Sequence, residues 1–156
     1  MLKFERVDRP DHAFIPVVRE LFNEYWSELE VDTCFQGFSE ELENLPGKYT
    51  PPRGVLFAVF DGESPVACGA LRELNAETCE LKRIFVRPEH RGFGLGRRIT
   101  LDLMDQARRI GYRFVRLDTL RSLTAAQGLY KSLGFYGISP YNDAEGNDVV
   151  YFERVL

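Results

Sequence analysis

The chain reads as an α+β domain built on a mixed sheet with helices on both faces. Three observations predict this. Amphipathic helical stretches and short apolar runs alternate in the order β-α-α-β-β-β-α-β-α-β-β. No linker, repeat or low-complexity segment divides the 156 residues, so a single domain over 1–156 is expected, long enough to bury a core. Hydrophobic content of 44% with 28% charged residues is ordinary globular usage, which excludes disordered and fibrous classes.

Residues 3–7 suit an edge strand. Over 14–29, Val17, Val18, Leu21, Phe22, Tyr25, Trp26 and Leu29 recur at spacings of three and four, predicting an amphipathic helix. The segment 30–54 reads as a long loop with one short helix over 39–45, Ser39 as its N-cap and Pro46-Gly47 as its stop. Residues 55–60 and 65–73 flank the turn Asp61-Gly62 as a hairpin, and 80–86 follows as a strand. Leu95, Ile99, Leu103, Ala107 and Ile110 then mark one face of a long helix that Gly111 ends. After a strand at 114–119, Thr124 with Gln127 resembles a capping box opening a helix to Leu133, which Gly134 closes. Residues 135–138 and 149–155 are the last strands, joined by a polar loop at 140–148.

Charge is unevenly placed. The net charge of −4 argues against a general nucleic-acid binder, yet residues 82–121 hold eleven Lys or Arg against four Asp or Glu. That half suits an anionic ligand, while 20–45 is acidic. The first 14 residues carry charges throughout and lack a signal-peptide apolar core, and no run approaches membrane-spanning length. Cys34, Cys68 and Cys79 are scattered without metal-ligand spacing. A cytoplasmic, reduced protein without a metal site or membrane contact is the expectation.

The most informative stretch is 79–96, CELKRIFVRPEHRGFGLG. A strand, a proline-broken turn and then Gly92, Gly94 and Gly96 lead directly into a basic helix. Glycines let backbone N–H groups approach an anion, and a helix start adds partial positive charge. A phosphate or pyrophosphate ligand is predicted. A Walker loop is excluded because Gly96 is followed by Arg97-Arg98 rather than Lys-Ser/Thr. A dinucleotide GxGxxG is excluded because Arg97 or Ile99 stands where the third glycine belongs.

These residues resemble a known family. Arg91-Gly92-Phe93-Gly94-Leu95-Gly96 is similar to the R/Q-x-x-G-x-G/A motif of the GNAT superfamily of N-acetyltransferases, preceded by its typical strand Leu81-x-x-Ile84-x-Val86-x-Pro88. Leu129-Tyr130-Lys131-Ser132-Leu133-Gly134-Phe135 resembles the second signature, L-Y-x-x-x-G-F. The resemblance implies a mostly antiparallel, twisted acyl-CoA N-acyltransferase sheet whose central strands, 79–86 and 114–119, splay apart. It also implies direct acetyl transfer from acetyl-CoA to an amine.

On this resemblance, backbone N–H groups over Arg91, Gly92, Phe93, Gly94, Leu95 and Gly96 cradle the pyrophosphate, with Arg97 adding charge nearby. Main-chain groups of Ile84, Phe85 and Val86 hold the pantetheine arm. A backbone N–H near Phe85, at a strand bulge, is the expected oxyanion donor. Tyr130 matches the tyrosine that protonates the leaving thiolate. Glu80 stands where some members place a general base; beside Lys82-Arg83 it reads equally as an ion-pair partner or an anchor for the substrate ammonium. The chain departs from many members at Leu123, which replaces an asparagine that contacts CoA.

The resemblance puts the acceptor between 28–49 and 136–147. Glu28, Glu30, Asp32, Phe35, Phe38 and Tyr49 line one side, and Tyr141, Asn142 and Asp143 the other, suiting a small or peptidic amine with positive charge. A homodimer stays open. Cys34 and Cys79 have no histidine arranged with them for covalent catalysis, and His90 reads as a turn residue. The alternative to an enzyme is a CoA-binding sensor of the same fold.

Overall fold

The computed structural model describes residues 1–29, 35–142 and 148–156, with backbone alone at 35 and 36. The chain runs β1 (Leu2–Arg6), α1 (Ile15–Leu29), α2 (Phe35–Glu43), β2 (Val55–Asp61), β3 (Ser64–Glu73) and β4 (Thr78–Val86). It continues α3 (Leu95–Ile110), β5 (Phe114–Leu120), α4 (Thr124–Ser132), β6 (Tyr136–Ile138) and β7 (Val149–Val155). This is the element order read from the periodicity.

Two local expectations need correction. The second helix begins at Phe35, not Ser39, so Ser39 is interior to it. The added turn carries Phe38, whose ring stacks on Trp26 of α1 at 4.6 Å, and that packing outweighs the cap preference of serine. The capping box at Thr124 does not form: the N-cap is Leu123, with no side-chain cap bond. Gln127 instead turns its amide to the carbonyls of Leu120 and Arg121, at 3.1 and 2.8 Å, and satisfies the end of β5.

The sheet order is β1-β2-β3-β4-β5-β7-β6. Every neighbouring pair is antiparallel except β4 with β5. Alternation along the strands divides the core into two layers. On one face Phe57, Leu71, Cys79, Leu81, Val115 and Leu117 pack under Ile99, Leu103 and Met104 of α3 and Tyr130 of α4. On the other, Leu56, Ala58, Cys68, Ala70 and Phe85 meet Val18, Leu21 and Phe22 of α1 and Phe38 of α2. The mixed sheet between two helical layers is the acyl-CoA N-acyltransferase arrangement.

Candidate active site

The parallel pairing of β4 with β5 covers only Thr78↔Phe114, Cys79↔Val115 and Glu80↔Arg116. Beyond Glu80 the strands part. The β3–β4 register shifts between Cys68 and Ala70, opposite Phe85 and Lys82, and Arg83 there has φ 58°. Such a bulge bends its strand and leaves an extra residue unpaired. Gly69 faces the bend, and a Cβ on it would meet Ile99 Cγ2 at 2.8 Å, so the close approach of α3 requires glycine.

The parting leaves a cleft of about 90 Å3. Its walls are Leu81, Lys82, Arg83 and Ile84 of β4, and Leu117, Asp118 and Thr119 of β5. Tyr25 of α1 and Leu123, Ala126 and Tyr130 by α4 complete them. Leu123, in the asparagine position, is thus an apolar wall residue.

Past the end of β4 the chain makes a 3-10 turn at Pro88–His90 and then the glycine loop. Gly92 and Gly94 take φ 86° and 79°, and Gly94 is the N-cap of α3 in the left-handed region that favours glycine. The first helical bond is Arg98 N–H to the Gly94 carbonyl at 3.0 Å. The N–H groups of Leu95, Gly96 and Arg97 therefore have no helical acceptor and stand at the positive end of a 16-residue helix. Gly96 sits against α4, where an added Cβ would lie 3.7 Å from Leu129 Cδ2.

The acetyltransferase (GNAT) family profile matches residues 15–135, which span both helical layers, the cleft and the loop. The chain belongs to this family. An uncharacterized N-acetyltransferase of Schizosaccharomyces pombe is 37% identical over 133 residues, covering 84% of this chain and 82% of that protein. One from Dictyostelium discoideum is 28% identical, covering 98% of this chain and 96% of its own length. Among solved structures, a GNAT acetyltransferase of Staphylococcus aureus superposes with a TM-score of 0.83 at 17% identity, each chain covered to 99%. A Salmonella typhimurium structure, described with its cofactor acetyl-CoA, has a TM-score of 0.73 at 17% identity over 99% of this chain and 94% of that one. These likenesses to solved structures show the shared fold, and the family is one of acyltransferase enzymes.

Within this GNAT fold the expected site residues are distributed as follows. Tyr130 projects from α4 into the cleft, buried, with its ring edge-on to Phe135 at 5.7 Å. Burial first, and the nearby Tyr25 second, push its pKa above the ordinary tyrosine value, so it is held as the neutral phenol. Ile84 lines the cleft, whereas the Phe85 ring is buried on the α1 side, edge-on to Tyr25. The Val86 carbonyl accepts from Arg91 Nε at 2.8 Å. Arg91 Nη2 reaches both Glu28 oxygens at 2.7 Å, so this guanidinium staples α1 to the loop. Its backbone N–H donates to the Pro88 carbonyl at 3.2 Å and closes the 3-10 turn, so the expected Arg91 contribution to the cradle is already spent. Arg97 reaches across to Ser132 Oγ of α4 at 3.3 Å. Phe93 is exposed at the tip of the loop.

Glu80 is fully buried and doubly held. Arg72 Nε donates to Oε1 at 2.9 Å and the Tyr141 hydroxyl donates to Oε2 at 2.5 Å. Tyr141 and Asn142 reach Glu80 and Asp118 from the β7 side without lining the cleft themselves; Asn142 Nδ2 donates to Asp118 Oδ2 at 3.0 Å and Tyr151 donates to Asn142 at 2.8 Å. On the α2 side, Tyr49 lies in the core at 2% exposure with its hydroxyl donating to Glu41. Phe38 is buried against Trp26. Glu41 takes Arg83 in a two-point pair at 2.8 and 3.1 Å. Tyr49 and Phe38 thus support Arg83 from beneath. Glu30, Asp32 and Asp143, the Phe35 side chain, and Cys34 lie outside the described residues.

The sequence reading missed Tyr25, Arg72 and Asp118. Strand period would have found Asp118: Val115 and Leu117 face the α3 layer, so Arg116 and Asp118 face the other. Neither described cysteine, Cys68 or Cys79, supplies a nucleophile. Burial pushes the Cys79 thiol up to about 12 and the Cys68 thiol higher still.

Proposed function

We propose that the protein transfers the acetyl group of acetyl-CoA directly to a primary amine of a small molecule or amino compound. The observation that carries this reading is the β4–β5 cleft, with a buried neutral tyrosine on one wall and a glycine-lined helix start at its mouth. The pyrophosphate lies on the N–H groups of residues 92–97, in the glycine loop and the first turn of α3, with the Arg97 side chain beside it. Pantetheine runs along 84–86 on the edge that β5 leaves, adding as a strand would.

The acceptor nitrogen forms a bond to the thioester carbonyl carbon. A backbone N–H at the bulge donates to the developing oxyanion; the Phe85 N–H itself faces the Cys68 sulfur on β3. As the intermediate collapses, the C–S bond breaks and Tyr130 gives its phenolic proton to the departing thiolate. The nitrogen sheds its proton toward Glu80, the Tyr141 hydroxyl serving as the relay on Oε2. The products are the N-acetyl compound and CoA.

The test combines binding and turnover. Acetyl-CoA should raise the melting temperature at concentrations well above its dissociation constant, and a panel of primary amines should release free CoA thiol. Tyr130→Phe should lower kcat by roughly 10²-fold or more while acetyl-CoA binding holds. Equal loss of binding and turnover would remove the proton-donor role. Binding without thiol release from any amine would replace the enzyme with a CoA sensor.

A further inference from the structure

The acceptor side of the cleft is not the acidic surface that its loops suggest. Glu28 is spent on Arg91 and Glu41 on Arg83. Around the mouth, Arg72, Lys82 and Arg83 face Glu41, Glu80 and Asp118, so opposite charges balance. Five of these six side chains are committed through hydrogen bonds: Arg72 to Glu80, Arg83 to Glu41, and Asp118 through Asn142.

Lys82 is different. Its side chain is 21% exposed, and its ammonium stands 3.9 Å from both Glu80 Oε1 and Asp118 Oδ1. Among the described residues it makes no hydrogen bond, although it carries three donors. Lys82 and Asp118 both line the cleft, and Asp118 Oδ1 is the oxygen that Asn142 leaves open. The bulge explains the position: Lys82 packs with Glu80 while Arg83, the next residue, turns under α2, so two consecutive basic residues serve different partners. A half-buried ammonium and a carboxylate thus line one cleft as a loose ion pair at 3.9 Å, beyond hydrogen-bond distance.

We infer that the acceptor is a zwitterion, an amino acid or a closely related amino-carboxylic compound, whose carboxylate is bound by Lys82 and whose ammonium docks at Asp118 before it is deprotonated. This rests on the acetyl-transfer reading above. A zwitterion satisfies both groups without changing the net charge of the site. A simple amine brings a second cation beside Lys82 with no carboxylate to offset it, and a polyamine is repelled twice.

The experiment compares the L-amino acids with their own carboxamides and decarboxylated amines, at saturating acetyl-CoA, in the native protein. Acids should exceed their amides in kcat/KM by roughly tenfold or more, the range expected when a charged hydrogen-bond partner is lost. Lys82→Gln should erase that ratio through KM with kcat little changed, and Lys82→Arg should restore part of it. Turnover of amides or amines as efficiently as acids overturns this assignment alone. So does an acid preference that Lys82→Gln leaves intact. Silence toward every amine overturns both the assignment and the acetyl transfer beneath it. If Lys82→Gln does not fold, the acid-to-amide ratio of the native protein decides.

Discussion

Tyr130 is shielded from bulk water, and that governs how the acid function proposed for it responds to pH. Burial disfavours the phenolate and Tyr25 adds to the effect, so the pKa lies above the ordinary tyrosine value. The working form is the neutral phenol, which a raised pKa preserves to higher pH. The rate of acetyl transfer should therefore hold its plateau through about pH 10, where an ordinary tyrosine would be half ionised. A stopped-assay pH profile showing a descending limb there that disappears in Tyr130→Phe would contradict this. At Glu80 the question is whether the carboxylate takes the amine proton or only braces Arg72 and Tyr141. Glu80→Gln keeps the shape and both neighbours. As the base, its loss should cost about 10²-fold or more in kcat, least at high pH where the free amine is abundant. A kcat within about twofold of native would leave Glu80 as a brace.

At the scale of elements, the loop and the first turn of α3 form the phosphate site proposed above. Gly94 holds φ 79° at the N-cap, with open space where a side chain would stand. Gly94→Asp adds left-handed strain of about 1–2 kcal/mol and a negative charge at the point where anionic oxygens are to sit. Acetyl-CoA affinity, measured by calorimetry, should fall by more than about tenfold while the fold survives; unchanged affinity would place the phosphates elsewhere. The loop and helix start were legible from 79–96 because their glycines carry a local backbone requirement. The caps at Ser39 and Thr124 were misread for the converse reason. Trp26 on Phe38 and Gln127 on the end of β5 are tertiary choices between alternatives that the local sequence leaves open.

Across the whole molecule, order and layering followed from periodicity, since each apolar stripe had one face to bury. The charged acceptor side did not. The segment 28–49 shows acids, but the cations that answer them, Arg83 and Arg91, come from β4 and the glycine loop, and only the fold brings them together. The parting of β4 from β5 also bears on aggregation. Any open sheet exposes strand edges that other chains can extend. Here β1 presents Lys3, Glu5 and Arg6 along one outer edge, and β6 is only three residues long at the other. The two further edges opened by the parting face a cleft that Tyr25 of α1 and Ala126 and Tyr130 of α4 also wall, so they lie between the helical layers rather than along a free outer edge. A sheet parted at its centre thus gains unpaired backbone where helices on both faces stand between it and a neighbouring chain.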